Sequence, residues 1–256
     1  MSAVPILTYH SLDDTGSVIS TGPAAFRRQM QAFAGRGFRG VSLGELLDAW
    51  EGKGTLPPRP LVLTFDDAFR GVSEHAAPVL AELGFRATVF AVAGYVGRTN
   101  DWPTQPAGVP RLPLCSWPEL RDLGRVAEIG GHGFDHRPLL ESIGAAERQR
   151  EIVDSRRILE DGLGAAVTTF AYPYGVLGPR TRDAVRGHYR AACGVTLRKA
   201  TPADDRHDLS RIDAYYLRPS LATRVFGTPA GDAYLALRGA GRRLRGLGAA
   251  PPYRPQ

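Results

Sequence analysis

Two aspartates, Asp66 and Asp67, close the apolar run Leu61-Val62-Leu63-Thr64-Phe65, and two histidines, His132 and His136, stand four residues apart just after Gly130 and Gly131. An apolar, β-branched run ending in carboxylates reads as a buried strand that delivers charge to one end of a sheet. Side chains alternate along a strand, so the two aspartates point in different directions unless the strand bends or ends there. Carboxylates in different settings can hold different tasks, one on a metal and one accepting a proton. The plain alternative is a strand followed by an Asp-rich turn. The four-residue spacing of His132 and His136 puts both imidazoles on one side of a helical turn, a common way to hold a divalent metal. An incidental surface pair is the competing reading. Adding an aspartate from a neighbouring strand end gives two imidazoles and one carboxylate with open positions. That set suits Zn²⁺ first, and also Fe²⁺, Co²⁺ or Ni²⁺. The open positions would take a water and a substrate oxygen, and the spare carboxylate would act as general base.

Positioning these groups calls for strands that end near one another. Strand-like runs fall at 4–10, 38–41, 61–67, 87–92, 126–129, 166–171, 189–195 and 209–216. Helical patterns lie between them. The first is opened by Thr21 as N-cap with Pro23 just inside, and buries Phe26, Met30 and Phe33. Ser42 caps a second, to Trp50. A third spans 71–83, a fourth 117–123, a long one ends near 163 with Ile143, Ile152, Ile158 and Leu159 toward its buried side, and another covers 181–187. Such alternation predicts a parallel sheet and one closed α/β domain. In a (β/α) barrel the chemistry gathers at the C-terminal strand ends. Here those ends carry His10, Asp66 with Asp67, His132 with His136, residues 172–175, and Arg211 to Asp213. The irregular connection 94–118 holds Trp102 and Trp117, which could stack on sugar rings, or in the case of Trp117 staple the next helix.

The 256 residues are 43% hydrophobic, enough for one sizeable domain. The formal charge of +6 comes from arginines spread along the chain, with Lys53 and Lys199 the only lysines. No basic stripe with interleaved aromatics is present, which argues against nucleic acid as a partner. Cys115 and Cys193 have no metal-type spacing and read as free thiols. No run approaches the ~18 apolar residues of a transmembrane span, and no charged leader with a long apolar core opens the sequence. The expectation is a cytoplasmic protein of undefined oligomeric state. Its barrel domain covers 1–238, and 239–256 is a basic, Gly/Pro-rich tail that touches an anionic surface weakly at most.

Thr64-Phe65-Asp66-Asp67, Ala87-Thr88-Val89-Phe90, the stretch from His132 to His136, and that from Phe170 to Gly175 together resemble the NodB-like polysaccharide deacetylases, a family of metal-dependent carbohydrate esterases. The opening Pro5-Ile6-Leu7-Thr8-Tyr9-His10 is similar to the start of a subset of them. The resemblance implies a distorted (β/α)₇ barrel in a single domain, with Asp67, His132 and His136 as metal ligands and Asp66 as general base. It also implies that the backbone N–H of Tyr174 faces the developing oxyanion. Ala68 stands where the family usually has Gly, and Gly133 where Ser or Thr follows the first His. The family's Arg in Arg-x-Pro-Tyr is Ala171, and its late Leu-x-His motif reads Leu209-Ser210-Arg211. The usual orienting Arg and general-acid His are therefore missing. Arg211 is expected to hold Asp66 bidentately instead, and His10 to protonate the leaving group. His207, within an acidic and solvated loop, is the second choice of imidazole, and His75 and His188 read as structural. The implied activity is removal of an N-acetyl group from an amino sugar in a carbohydrate, glycoside or glycolipid. An O-acetyl esterase, a non-sugar amide hydrolase and a carbohydrate-binding protein with a vestigial site are the alternatives.

Overall fold

The apolar runs are the strands of one curled parallel sheet in the computed structural model, which describes residues 2–246. In chain order they are β1 (Ile6–Tyr9), the short pair β2 (Ser11–Leu12) and β3 (Ser20–Thr21), β4 (Arg39–Val41), β5 (Pro60–Phe65), β6 (Ala87–Ala91), β7 (Ala127–Gly131), β8 (Thr169–Ala171), β9 (Ala191–Cys193) and β10 (Ile212–Asp213). The helices are α1 (Pro23–Gly35), α2 (Leu43–Trp50), α3 (Ala77–Leu83), α4 (Trp117–Leu123), α5 (Ala145–Gln149), α6 (Ser155–Leu163), α7 (Pro179–Arg186), α8 (Ser220–Val225) and α9 (Pro229–Gly246). The sheet runs β10-β1-β5-β6-β7-β8-β9, all neighbours parallel. Its two ends approach through a bridge between Cys193 and Leu209, where the Leu209 N–H donates to the Ala192 carbonyl at 2.9 Å. The result is the distorted seven-stranded (β/α) barrel expected, in a single domain.

The distortion has a local cause. Val62 pairs with Ile6 on one edge of β5 and with Val41 on the other, and β6 takes over that second edge only from Thr64 onward. β4 is thus wedged between β5 and β6 near their starts. The space it opens is filled by α2, whose Leu43, Leu46 and Leu47 pack on the inward side chains Ile6, Val62, Phe90 and Cys193. The alternate residues Leu61, Leu63 and Phe65 belong to the larger outer core, between sheet and helices. Inside the barrel, the half-buried Glu128 carboxylate accepts the Gly44 N–H at 3.0 Å and the Thr88 hydroxyl at 2.8 Å. A Cβ at Gly44 would lie 2.3 Å from that carboxylate and would force it aside, so glycine lets the Gly44 N–H and the carboxylate meet. Ser42 caps α2 as expected: its Oγ accepts the Glu45 N–H at 3.1 Å, and Glu45 accepts the Ser42 N–H at 2.7 Å. Ser42→Ala removes half of that box, and chemical denaturation is expected to register a loss of about 1 kcal/mol.

Four details depart from the sequence reading. Thr21 ends β3 rather than capping α1; Gly22 is the N-cap, without a side-chain bond, and Pro23 starts the helix by its fixed φ. The helical segment before residue 163 begins at Ala145, and a π-helical turn at Arg150–Asp154 joins α5 to α6. Ile152 and Leu159, seven residues apart and so on one helix face, are buried, while Ile158 on the neighbouring face is exposed. The segment read as a tail is helical as far as Gly246, and 247–256 lies outside the described residues. Among the described residues no helix is long and apolar enough to cross a membrane.

Candidate active site

Period-two alternation carries one set of polar groups inward. Ile6, Thr8 and His10 follow each other on the inner face of β1 and its exit. Val62, Thr64 and Asp66 do so on β5, and Glu128, Gly130 and His132 on β7. Leu209 and Arg211 extend the same phase into β10. Four chemically useful side chains, His10, Asp66, His132 and Arg211, therefore arrive in one place by strand geometry alone.

A second set arrives by backbone turns. Asp67 (φ 70°), Ala68 (φ 55°), His136 (φ 52°) and Tyr174 (φ 58°) are the non-glycine residues in the left-handed region among the described residues, and all belong to this site or flank it. Each such residue costs roughly 1–2 kcal/mol, a strain that clusters where function demands a particular aim. At the end of β5 the chain turns back on itself, so the Asp67 carboxylate enters the same cleft as Asp66 instead of the opposite face. The turn is pinned by the Cys115 N–H donating to the Ala68 carbonyl at 2.8 Å. The left-handed φ of Ala68 explains why a glycine would be at ease there. The expectation that His132 and His136 share a helical turn is corrected. His132 directly follows the last residue of β7, and His136 comes after an irregular loop.

Asp67, His132 and His136 are all buried and offer ligand atoms within 4.8 Å of one another. Asp67 Oδ1 lies 3.1 Å from His136 Nε2 and 3.5 Å from His132 Nε2, yet has no partner in hydrogen-bond geometry among the described residues. His132 Nδ1 is 2.7 Å from the Ala171 carbonyl, so it carries the proton and donates, leaving the Nε2 lone pair for the site. Burial brings the His132 imidazole down to about 4, so the ring is neutral at physiological pH, as a ligand must be. Two imidazoles and an orphaned carboxylate oxygen fit a divalent metal.

The loop between the two histidines is fixed by a residue the sequence did not point to. Glu151, fully buried, accepts the N–H groups of Phe134 at 2.8 Å and Asp135 at 3.1 Å. Gly133 (φ 81°) passes close beside it: a Cβ there would lie 2.6 Å from Glu151 Oε2, so a Ser or Thr at this position would strain the backbone and push the Glu151 carboxylate aside. Nothing in the sequence singles Glu151 out, because it stands among the charged residues Glu147, Arg148, Arg150 and Asp154. From the other side, the Thr104 hydroxyl donates to the His136 carbonyl at 2.9 Å. Trp102 packs on the His136 ring with centroids 4.2 Å apart, and its Nε1–H donates to the Tyr174 hydroxyl at 3.2 Å. Trp102 thus backs the His136 ring and does not present an open platform for sugar, while Trp117 lies against Gly162 of α6. Groups behind metal-binding histidines typically govern affinity by 10–100-fold. Glu151→Ala is expected to weaken metal binding by about that factor, read by competition with a chromogenic chelator.

Arg211 meets Asp66 face to face, with Nη1 2.7 Å from Oδ1 and Nη2 2.9 Å from Oδ2. Arg211 Nε also donates to the Gly194 carbonyl at 3.0 Å. Both partners are buried. Burial by itself would raise the Asp66 carboxyl, but the Arg211 charge and then the imidazoles of His132 and His10 outweigh it and hold the group well below the usual carboxylate range. His10 is partly exposed, its Nε2 3.9 Å from Asp66 Oδ2. His10, both aspartates, both histidines, Tyr174 and Arg211 all line one cleft of about 650 Å³. His207 does not. It is buried, with Nε2 2.9 Å from the Tyr189 carbonyl, so it is a structural histidine and not part of a solvated loop. His75 and His188 are exposed, away from the cleft.

A cleft at the C-terminal strand ends, a buried two-His, one-Asp set and an adjacent Arg-held carboxylate define a hydrolase-type barrel site. The model of the polysaccharide deacetylase family matches residues 53–191, and the chain belongs to that family. The protein YxkH of Bacillus subtilis is 21% identical over 226 residues, covering 88% of this chain and 75% of its own. The poly-beta-1,6-N-acetyl-D-glucosamine N-deacetylase of Staphylococcus aureus is 25% identical over 167 residues, 62% of this chain. The match spans 54% of that protein's length. The solved structure of IcaB from Ammonifex degensii superposes with a TM-score of 0.70 at 23% identity, covering 88% of this chain and 98% of its own, and so shares the fold.

Proposed function

We propose that the protein is a metal-dependent hydrolase that removes the N-acetyl group from an amino sugar of an acetylated glycan. The observation that carries this reading is the juxtaposition of the Asp67, His132 and His136 set with an Asp66 held bidentately by Arg211. Family membership supports it, as does the name of the Staphylococcus relative, an N-deacetylase of an acetylated glucosamine polymer. A divalent ion, Zn²⁺ first, held by Asp67, His132 and His136 would supply Lewis-acid polarisation of the acyl group.

The protein's own groups do the rest. Asp66, kept ionised and aimed by Arg211, takes a proton from the attacking water as its oxygen bonds to the acyl carbon. The carbonyl electrons move to oxygen, where the backbone N–H of Tyr174 donates to the oxyanion. When the C–N bond breaks, the amine nitrogen receives a proton from His10, which releases the amino sugar and acetate. His10 and Asp66, 3.9 Å apart, are within reach of one bridging water, a route for returning the proton.

An ester-cleaving enzyme would use the same groups, because an alkoxide leaving group also needs a proton. Acetate release from N-acetylated against matching O-acetylated oligosaccharides separates the two. The proposal requires the N-acetyl substrate to be preferred in kcat/KM. Exclusive turnover of O-acetyl groups would replace it with an esterase, and no turnover together with no metal binding would leave a vestigial carbohydrate-binding protein.

A further inference from the structure

We infer that the substrate carries an oxyanion, a phosphate or a carboxylate, close to the acetylated sugar, and that a second groove beside the cleft binds it. The groove holds about 470 Å³ and meets the catalytic cleft at Gly16, which lines both. Arg28 of α1, Arg218 just before α8, and Arg224 of α8 line it with the hydroxyl-bearing Thr21 and Ser220, and no carboxylate is among its lining residues.

The charge in this groove lacks a counter-ion. Arg28 and Arg224 are exposed and enter no ion pair among the described residues. Arg218 Nη2 donates to the carbonyls of Ser17, Val18 and Ser20, neutral acceptors that fix its position and leave its charge uncompensated. Unpaired arginines occur elsewhere on the surface, as at Arg59 and Arg98, but here three of them line one groove with no carboxylate among them, whereas Arg27 is matched by Glu82 and Arg190 by Asp48 and Glu51. The nearest acids stand outside the lining: Asp13 accepts from Thr15 and Ser20, and Asp14 lies beside Gly22. Arg242 of α9 adds an exposed guanidinium to the cleft itself. Guanidinium groups grip phosphate and carboxylate oxygens through paired charge-assisted hydrogen bonds.

The rim also exposes Val18, Tyr215 and Leu221, with the Arg218 guanidinium 4.7 Å from the Tyr215 ring centre. An apolar and basic rim could rest on an anionic bilayer. A concave, hydroxyl-bearing groove that opens into the cleft instead suits the continuation of a glycan, with Tyr215 beside a sugar face. As a substrate subsite the groove rests on the proposed deacetylase function.

The test is equilibrium binding to the full chain at low ionic strength, independent of turnover. The probes are a galacturonic acid tetramer, a glycerol phosphate tetramer, a neutral N-acetylglucosamine tetramer and phosphatidylglycerol vesicles. One or both anionic tetramers should bind at least about tenfold more tightly than the neutral one, about 1.4 kcal/mol. Arg28→Gln/Arg224→Gln should lose that advantage, and the charge-matched Arg121→Gln/Arg125→Gln should keep it. Which tetramer binds distinguishes carboxylate from phosphate. Equal binding of all tetramers, equal weakening in both double variants, or an effect of Arg28→Gln/Arg224→Gln on vesicles alone would overturn the inference. A protein that shows the anionic preference but releases no acetate would refute the proposed activity while leaving the groove's ligand chemistry intact.

Discussion

Asp66→Asn is expected to lower acetate release by about 10²–10⁴-fold, the usual contribution of a general base, while metal binding stays stoichiometric. The side chain keeps its volume and only its ability to accept a proton changes. Asp66 stands beside the ligand set and is committed through both oxygens to Arg211, at 2.7 and 2.9 Å. Metal content and kcat/KM measured on one preparation separate base from ligand. Loss of the metal from Asp66→Asn would make Asp66 a ligand and undo the division of labour between the two adjacent aspartates.

Arg211→Met is expected to destabilise the fold by about 3–5 kcal/mol, because it leaves a buried carboxylate without its partner. Arg211 is 3% exposed and Asp66 4%, so water does not compensate for either. The double variant Arg211→Met/Asp66→Asn should recover a large part of that loss, since no charge then remains buried in the pair. Urea unfolding of wild type, both single variants and the double variant gives the coupling directly. Additive losses would mean that Arg211 packs against Asp66 without sustaining it. Arg211→Lys retains the charge but not the fork, and should recover stability better than activity if Arg211 positions Asp66.

Much of the site was legible because it obeys strand alternation. His10, Asp66, His132 and Arg211 each lie in the inward phase of a strand whose apolar members are evident in the sequence, so their convergence follows from a closed parallel sheet. Arg211 was picked out through the resemblance, as the residue standing where the late His would be, and its inward aim agrees with that of Leu209 two residues before it. The role of Asp67 as ligand and that of Tyr174 could be assigned only through the family resemblance, while His136 was read from its spacing to His132, in a helical turn that the structure does not contain. Their aim depends on left-handed backbone, and Asp, Ala, His and Tyr do not advertise that conformation as glycine does. Glu151 and Thr104 were missed for a related reason: they act through backbone N–H and carbonyl groups of a loop, and such bonds leave no pattern of residue types. The β2 and β3 pair, two residues each, is too short for periodicity to mark. Ile158 was misplaced because it adjoins Leu159, and two adjacent residues cannot both sit at the centre of one buried helical stripe.

The most direct test is titration of chelator-stripped protein with Zn²⁺ while acetate release from an N-acetylglucosamine oligomer is followed. Activity should be absent in the stripped protein, rise linearly and break at one equivalent, and Asp67→Asn should neither bind the ion tightly nor regain activity. Undiminished acetate release from the stripped protein, or full activity in Asp67→Asn, would contradict the assignment of Asp67, His132 and His136 as the metal site on which the reaction depends.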